Sequence, residues 1–407
     1  MKRLIWLFYA SYLLIGFANV IIGASLPELL SYYSRDYREG GLLISMQFAG
    51  FLIGVIMTPL WVKRLGHRNA LLFALSMLFM AQMVYGFLPS WEWIIVAAPF
   101  AGFGFGIVEA IIGALILDSV KEKKAVVMSK VEVFFSIGAM LMPLIVSIFI
   151  VINYWNLAFF VLAFFSLIMI FLWIKIGQVD AFIDSPTEDI PNKKDKIIQP
   201  SLLNEGTYKS GAQLPLFILF VILFATYVGV EMSIANFLPA ILIELSGVST
   251  AVASLSVTFF WIAMSVGRIF AGVIAEKVTY YKYLLWTNIA TLLTLIAFSF
   301  ISGIVGLFVF ILIIGLFMSG TFAISLTYAN ALLSLKTEKI TSLLIASGGV
   351  GGALVPLLTG WSMEMFSTEV TLWLFASLQL VLLVLIISTD RRKGNHPKGK
   401  LEAEVKI

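Results

Sequence analysis

The chain has 407 residues, of which 60% are hydrophobic and only 12% are charged, and its mean hydropathy is +1.01. Soluble domains carry about 25% charged residues, so this composition excludes an ordinary soluble protein and indicates a helical membrane protein. The net charge of +4 is no nucleic-acid footprint, because the basic residues lie between apolar segments. The absence of cysteine and the presence of only two histidines predict no disulfide, no thiol catalysis and no metal site.

Twelve apolar segments are each long enough, at about 20 residues, to span a bilayer. In chain order they cover residues 5–30, 41–62, 69–89, 92–118, 126–152, 154–176, 212–242, 249–275, 281–301, 303–334, 338–364 and 367–388. The first segment is too long and too uncharged for the core of a signal peptide, so we interpret it as a retained span.

One long polar linker lies between the sixth and seventh spans and divides the chain into six plus six. The predicted organisation is an N-terminal half at 1–176, a cytoplasmic linker at 177–211, a C-terminal half at 212–388 and a cytoplasmic tail at 389–407. Nearly all of the 27 lysines and arginines fall in the N-terminus, the linker, the tail and the loops on the same side. This bias predicts that both termini are cytoplasmic and that the protein lies in a cell membrane, as in the bacterial inner membrane.

The two halves share an internal repeat. SLPELL (25–30) ends span 1 and FLPAIL (237–242) ends span 7, while PLWVKRLGHRNALL after span 2 recurs as GVIAEKVTYYKYLL after span 8, at an offset of 213. Parallel repeats related by an axis along the membrane normal are typical of a large class of secondary transporters.

The repeated loops resemble the G-x-x-x-D-R-x-G-R-R signature of the major facilitator superfamily. The second copy keeps Gly272 and has Glu276 at the acidic position, whereas the first copy keeps Arg64 but has Pro59 for the glycine and Lys63 for the acid. The resemblance implies a gating role for Gly272, Glu276 and Arg64, and the first half lacks the acid of that contact.

A closer resemblance covers nearly the whole chain. Five stretches are similar to the bacterial glucose/mannose:proton symporters of the fucose–galactose–glucose group, namely QFAGFLIGV (47–55), MSKVEVFFSIGA (128–139), EMSIANFLPAILI (231–243), FFWIAMSVGRIFAG (259–272) and TSLLIASGGVGGALVP (341–356). The resemblance implies an all-α membrane fold of 12 transmembrane helices in two six-helix halves around a central cavity. It also implies proton-coupled uptake of a sugar. We expect no cofactor and a functional monomer.

Four ionisable residues lie well inside the predicted spans: Glu109 in span 4, Glu132 in span 5, Glu231 in span 7 and Arg268 in span 8. Each costs at least ~2.5–3.5 kcal/mol at the bilayer centre, so such groups usually face a cavity or a partner. At about 1.5 Å per residue, Glu109 lies roughly 13 Å and Glu132 roughly 9 Å from the cytoplasmic end of its span. The two acids are therefore expected to meet and to hold one proton between them, because repulsion and desolvation both disfavour two charges.

Proton coupling is the role predicted for Glu109 and Glu132. The resemblance agrees, because the symporter group carries an acid at this place in helix 4 and the fucose-type members have a glutamine near the substrate where Glu132 stands. The helix-1 aspartate of the fucose-type members is replaced here by Gly23. The alternatives are a protonated Glu109 that joins two helices by a hydrogen bond, and a Glu132 paired with Lys130 at the interface.

Sugar binding is the role predicted for a second set of residues. Glu231 and Asn19 occupy equivalent positions in the repeat, on the helices expected to flank the cavity, and Asn236 adds an amide. The remaining candidates are Gln47, Trp261 and Tyr227, which offer hydrogen bonds or an aromatic face. Glu231 could instead serve as a helix–helix contact. Arg268 either gates or forms an ion pair, or its side chain extends to the cytoplasmic interface.

Glycines indicate close helix packing at two places. Gly102 and Gly106 form a small-xxx-small spacing on span 4, and ASGGVGGALVP in span 11 predicts a bend or a close approach.

The leading functional hypothesis is a secondary transporter that imports a hexose with a proton by alternating access. Proton-driven efflux of cationic lipophilic drugs is the alternative, because acids and aromatic residues in a large cavity would serve it as well. The sequence contains no nucleophile–base constellation and no G-x-x-x-x-G-K-[ST] motif, which disfavours an enzyme and direct use of ATP. A membrane-embedded sensor is disfavoured by the short linker and tail.

Overall fold

The structure is a computed structural model that describes residues 2–119, 124–175, 213–301, 303–333 and 337–393. The linker predicted at 177–211 and most of the tail predicted at 389–407 lie outside these residues, so the division of the chain stays a prediction. The described chain is built of helices joined by short connections, and no strand occurs in the described residues.

Twelve helices follow one another in the described ranges. They are α1 (Lys2–Tyr33), α2 (Tyr37–Phe87), α3 (Trp91–Ser119), α4 (Lys124–Val151), α5 (Leu157–Lys175), α6 (Gln213–Ser246), α7 (Thr250–Val278), α8 (Tyr280–Phe298), α9 (Ile304–Met318), α10 (Thr321–Leu332), α11 (Thr337–Met365) and α12 (Thr368–Lys393). We call α1–α5 the N-half and α6–α12 the C-half.

Ten helical segments of the described chain are long and apolar enough to cross a membrane, so the protein is a multi-pass membrane protein. The expected count of twelve spans is not confirmed, for two reasons. Predicted spans 2 and 3 are counted together as α2, 51 residues in which the non-helical residue Gly66 separates two helical parts. Predicted span 9 corresponds to the 19-residue α8, which is not among the ten because Lys282, Asn288 and several threonines lower its mean hydropathy.

The loop expected between spans 2 and 3 is reduced to a single residue. Gly66 has φ 75 and ψ 164 inside the otherwise helical α2, a conformation that suits glycine and few other residues. Thr279, at the repeat offset of 213, has φ 90 and ψ 144 between α7 and α8. The internal repeat therefore extends to the backbone conformation of this turn, even though a β-branched residue occupies it in the second half.

Helices α2 and α3 pack backbone to backbone, as the glycine spacing predicts. A Cβ atom on any of four glycines would overlap a backbone carbonyl oxygen of the neighbouring helix, and these are Gly50, Gly54, Gly102 and Gly106. In α11, Gly351 makes the same kind of contact with the backbone of Ala225 in α6. The close approach predicted for both glycine-rich stretches is confirmed.

Replacing Gly102 with valine should destabilise the fold, because its side chain would collide with the main chain of Gln47. Overpacking of this kind costs typically ~1–3 kcal/mol, and a rigid backbone neighbour places the cost at the upper end. Thermal unfolding of the purified variant should show a lower melting temperature than the wild type. Gly113→Ala on the same helix is the control, because the nearest atom to its added carbon is the Tyr12 hydroxyl at 3.9 Å. Equal melting temperatures for the valine variant and the wild type would contradict the packing account.

The helices alternate between two faces of the molecule. We call the face where α5 ends and α6 begins the linker face, and the face where α1 ends and α2 begins the far face. Three hydroxyl-to-carbonyl hydrogen bonds of 2.8–3.2 Å join α4 to α7 on the far-face side, from Ser147 to Ala251, from Ser254 to Pro143 and from Thr258 to Met140.

Tyr37, at the start of α2, adds a second connection between the halves at the far face. Its hydroxyl donates to Glu244 Oε1 at 2.6 Å, and its backbone N–H donates to Glu364 Oε2 at 3.2 Å. The Glu364 carboxylate thereby lies at the N-terminus of α2, where a negative charge is stabilised by the helix dipole. The far face is closed by these contacts between the halves.

Candidate functional site

Arg268 of α7 is the centre of a charged cluster between the two halves. Its guanidinium donates to Glu231 Oε1 at 3.3 Å and to Ser136 Oγ at 3.2 Å. It also lies 3.9 Å from Glu132 Oε2. Glu231 belongs to α6, whereas Ser136 and Glu132 belong to α4, so one side chain connects the C-half to the N-half.

The positions of the Arg268 and Glu132 side chains differ from two alternatives that the sequence left open. The Arg268 side chain does not extend to the interface but points to Glu231, whose side chain is only 4% exposed. A buried carboxylate holds the guanidinium in place more strongly than the interface attracts it, because an unpaired buried charge is costly. Glu132, whose side chain is 49% exposed, lies beside Arg268 rather than in the alternative pairing with Lys130.

An aromatic pair lies beside the guanidinium. The Arg268 Cζ lies 5.5 Å from the centroid of the Trp261 ring, within range of a cation–π interaction. Phe135 of α4 packs edge-on against the same indole, with ring centroids 5.5 Å apart. Trp261, one of the sugar-binding candidates from the sequence, is completely buried. Its indole forms an aromatic wall beside the charged cluster.

Tyr227 belongs to the same cluster and precedes Glu231 by one helical turn on α6. Its hydroxyl donates to the carbonyl of Met318 at 2.9 Å, at the break between α9 and α10. It also interacts with the Glu231 carboxylate. Glu231 therefore interacts with both a cation and a phenol.

Three buried polar atoms on helices α1, α6 and α7 have no hydrogen-bond partner in the described part of the chain. They are Asn19 Oδ1 on α1, Asn236 Oδ1 on α6 and Trp261 Nε1 on α7. Buried polar groups are normally paired, and leaving one unpaired costs about 1–3 kcal/mol. The set offers two acceptors and one donor, which is the complement of a ligand rich in hydroxyl groups.

Asn236 lies where the two halves meet. A Cβ at Gly23 of α1 would overlap Asn236 of α6. Asn236 Nδ2 donates to Met232 within its own helix, at 2.8 Å. Gln47 Nε2 donates to the carbonyl of Ala18 at 3.4 Å, so Gln47 supports the α1 backbone beside Asn19.

Glu109 of α3 and Glu132 of α4 interact electrostatically with each other. Both also interact with Tyr12, a buried tyrosine of α1. The two acids therefore lie within electrostatic range of each other, and Tyr12 lies within electrostatic range of both.

Sequence reasoning missed Tyr12 and Ser136. Tyr12 precedes Asn19 by seven residues and Ser136 follows Glu132 by four, so each shares a helical face with a predicted site residue. That spacing could have identified them.

The predicted gating residues other than Arg268 lie apart from the cluster. Gly272 has no atom within 4 Å of the position that a Cβ would take, and Glu276 and Arg64 are exposed near the linker face. Arg68, near the bend of α2, donates to the carbonyls of Trp173 and Ile174 at the C-terminus of α5. The gating role of Gly272, Glu276 and Arg64 stays a prediction.

A sequence model of the Major Facilitator Superfamily matches residues 8–328 and, in a second match, residues 216–406. The "Glucose/mannose transporter GlcP" of Bacillus subtilis is 31% identical over 393 residues, which are 96% of this chain and 95% of that protein.

Solved structures share the fold. The crystal structure of a D-xylose-proton symporter superposes with a TM-score of 0.77 at 13% identity, over 95% of this chain and 97% of that one. A bacterial homologue of the human lysosomal transporter Spinster, in an inward-facing and unoccupied conformation, superposes with a TM-score of 0.76 at 14% identity, over 98% and 99%. Because the family model spans most of the chain and the helical architecture agrees with it, the chain belongs to the Major Facilitator Superfamily and is a transporter rather than an enzyme.

Proposed function

We propose that the protein is a secondary active transporter that couples the uptake of a hexose to the entry of a proton by alternating access. The observation that carries the proposal is the Arg268–Glu231–Glu132 cluster, which connects the halves, and the unpaired buried atoms of Asn19, Asn236 and Trp261 accompany it. The similarity to a protein named a glucose/mannose transporter and the fold shared with a D-xylose-proton symporter support it.

The membrane topology in this proposal has twelve crossings in two halves. Gly66 divides α2 into two helical parts of about 29 and 21 residues, roughly 44 and 32 Å long at 1.5 Å per residue, each enough for the 30 Å of a bilayer core, so we count α2 as two crossings. We count α8 as another. The linker face is cytoplasmic, since the lysines and arginines concentrate there. The closed far face then corresponds to an inward-facing conformation of a monomer in the cell membrane.

The substrate in this proposal is a neutral sugar. Its hydroxyls donate to Asn19 Oδ1 and Asn236 Oδ1 and accept from Trp261 Nε1, while the indole face packs against the C–H surface of the ring. Glu231 is already engaged by Arg268 and Tyr227, so we assign it an orienting contact to one hydroxyl. An anionic substrate would meet three acids and a single, already paired arginine.

The proton in this proposal is shared by Glu109 and Glu132. A charged Glu132 attracts Arg268 from the opposite half. Protonation of Glu132 removes that attraction, and Arg268 then pairs with Glu231 alone. Protonation thereby weakens a connection between the halves at the linker side of the site. The half-exposed Glu132 is the group from which the proton leaves toward the linker face.

Replacing Asn236 with alanine should weaken hexose binding about tenfold, equivalent to about 1.4 kcal/mol, because a hydroxyl loses its buried acceptor. Equilibrium binding of radiolabelled glucose to the purified protein measures this. Ser246→Ala at the far end of α6 is the matched control, because the Ser246 hydroxyl bonds only within its own helix, to Leu242. An unchanged affinity for the Asn236 variant would remove this amide from the site.

A substrate panel tests the function against proton-driven export of lipophilic cations, the alternative that the excess of acids over bases in the cluster also suits. Vesicles with an inward proton gradient receive labelled glucose, mannose, xylose or a lipophilic cation, with and without a protonophore. The proposal expects hexose accumulation that the protonophore abolishes. Cation transport without any hexose accumulation would instead support the exporter.

A further inference from the structure

A cavity lies at the far face, away from the charged cluster of Arg268. It has a volume of about 430 Å³ and is lined by residues of both halves, with Glu28 of α1 and Trp155 on one side and Ser249 and Thr250 on the other. Ligand pockets span about 300–1,000 Å³, so this cavity is large enough for one sugar. We propose that it is a docking site for a neutral hexose, which rests on the proposed function and adds a second sugar site to it.

The polar groups of the cavity are suited to hydroxyl groups. The Glu28 carboxylate accepts a hydrogen bond from the Thr250 hydroxyl and keeps further lone pairs for a ligand. Asn153 holds its backbone at φ 61 in the turn after α4, a conformation that asparagine tolerates, and it lines the cavity with its neighbour Trp155. A carboxylate, an amide and hydroxyls around one cavity provide both donors and acceptors.

The aromatic wall of the cavity is held in place by other rings. Trp155 packs edge-on against Tyr32 of α1, with centroids 6.0 Å apart, and against Phe159 of α5, with centroids 6.3 Å apart. A fixed indole is a platform for the C–H face of a pyranose ring. Apart from Glu28, the residues that line the cavity are uncharged, so a sugar phosphate would meet a carboxylate and no cation.

The cavity exists as a unit only while the far face is closed. The Glu28–Thr250 hydrogen bond joins α1 of the N-half to α7 of the C-half, and separation of the halves at the far face would divide the lining residues. A hexose bound here therefore stabilises the inward-facing conformation, because a ligand shifts a conformational equilibrium toward the state that binds it.

Cysteine protection tests the docking site, because the chain contains no cysteine of its own. Asn153→Cys places a single thiol in the cavity, and its labelling by a maleimide is followed in nanodiscs, which expose both faces. At a glucose or mannose concentration ten times Kd the labelling rate should fall roughly tenfold. Tyr154→Cys is the control, because Tyr154 is 60% exposed and does not line the cavity, so its labelling should not change.

A second variant separates docking from an indirect effect of the central site. Adding Trp155→Ala to the Asn153→Cys protein should abolish protection by glucose, whereas protection caused by sugar in the central cluster would survive. Protection that survives, equal protection at residue 154, or no protection at all would each overturn the docking site. Glucose uptake by proteoliposomes of the same protein is measured in parallel. Uptake without protection rejects the docking site alone, and protection without uptake rejects the transport function while the docking site stands.

Discussion

Replacing Glu109 with glutamine is expected to abolish proton-driven accumulation of hexose while sparing the exchange of sugar across the membrane. Glutamine keeps the size and hydrogen-bonding capacity of a protonated glutamate but cannot bind or release a proton. The Glu109–Glu132 pair then has a single titrating group, and the energetic connection between proton entry and sugar entry is lost. Sugar binding should persist, because the unpaired Asn19, Asn236 and Trp261 atoms are unchanged.

Two transport assays measure this separation in proteoliposomes. Accumulation of labelled glucose is followed under an inward proton gradient, and equilibrium exchange is followed with equal sugar on both sides. Glu369→Gln is the matched control, because Glu369 is an exposed acid in the first turn of α12. Normal accumulation by the Glu109 variant would remove this residue from proton coupling.

Replacing Arg268 with leucine is expected to reduce both stability and transport. Glu231 would keep a buried charge without its counterion, and breaking a buried ion pair by removing one partner costs about 3–5 kcal/mol. Glu132 and Ser136 would also lose their contact with the C-half. Arg268→Lys should retain part of the stability, because it keeps the charge but not the forked geometry that reaches Ser136 and Glu231 together.

The double variant Arg268→Leu/Glu231→Leu distinguishes a structural contribution from a functional one. It removes both charges, so its melting temperature should recover toward that of the wild type. Transport should stay reduced, because the connection between the halves is not restored. Full transport by the Arg268→Leu protein would show that the ion pair takes no part in the transport cycle.

The features that sequence predicted well are those set by short-range spacing. Gly102 and Gly106 predicted a close helix approach because glycines four residues apart share one face, and the contact with α2 is present. The repeat offset of 213 connects Gly66 with Thr279, and the same turn conformation occurs at both. Counting residues from the helix ends placed Glu109 and Glu132 at similar depth, where they interact.

The features that sequence could not supply depend on contacts between the halves. The position of Arg268 near the inner end of its span was compatible with extension to the interface, and only the packing of α7 against α4 and α6 places Ser136, Glu132 and Glu231 around it. The polar loop motif around Gly66 indicated an interruption. It did not reveal that one left-handed residue suffices and that the helix continues on both sides.

The central claim is that sugar and proton move together through one carboxyl-containing site. Proteoliposomes loaded with a pH-sensitive dye, with the membrane potential clamped and no initial pH gradient, receive glucose on the outside. If sugar and proton move together, the lumen should acidify as labelled glucose enters. The Glu109→Gln protein should admit glucose without acidification. Entry of glucose into wild-type proteoliposomes at an unchanged luminal pH would contradict the central claim.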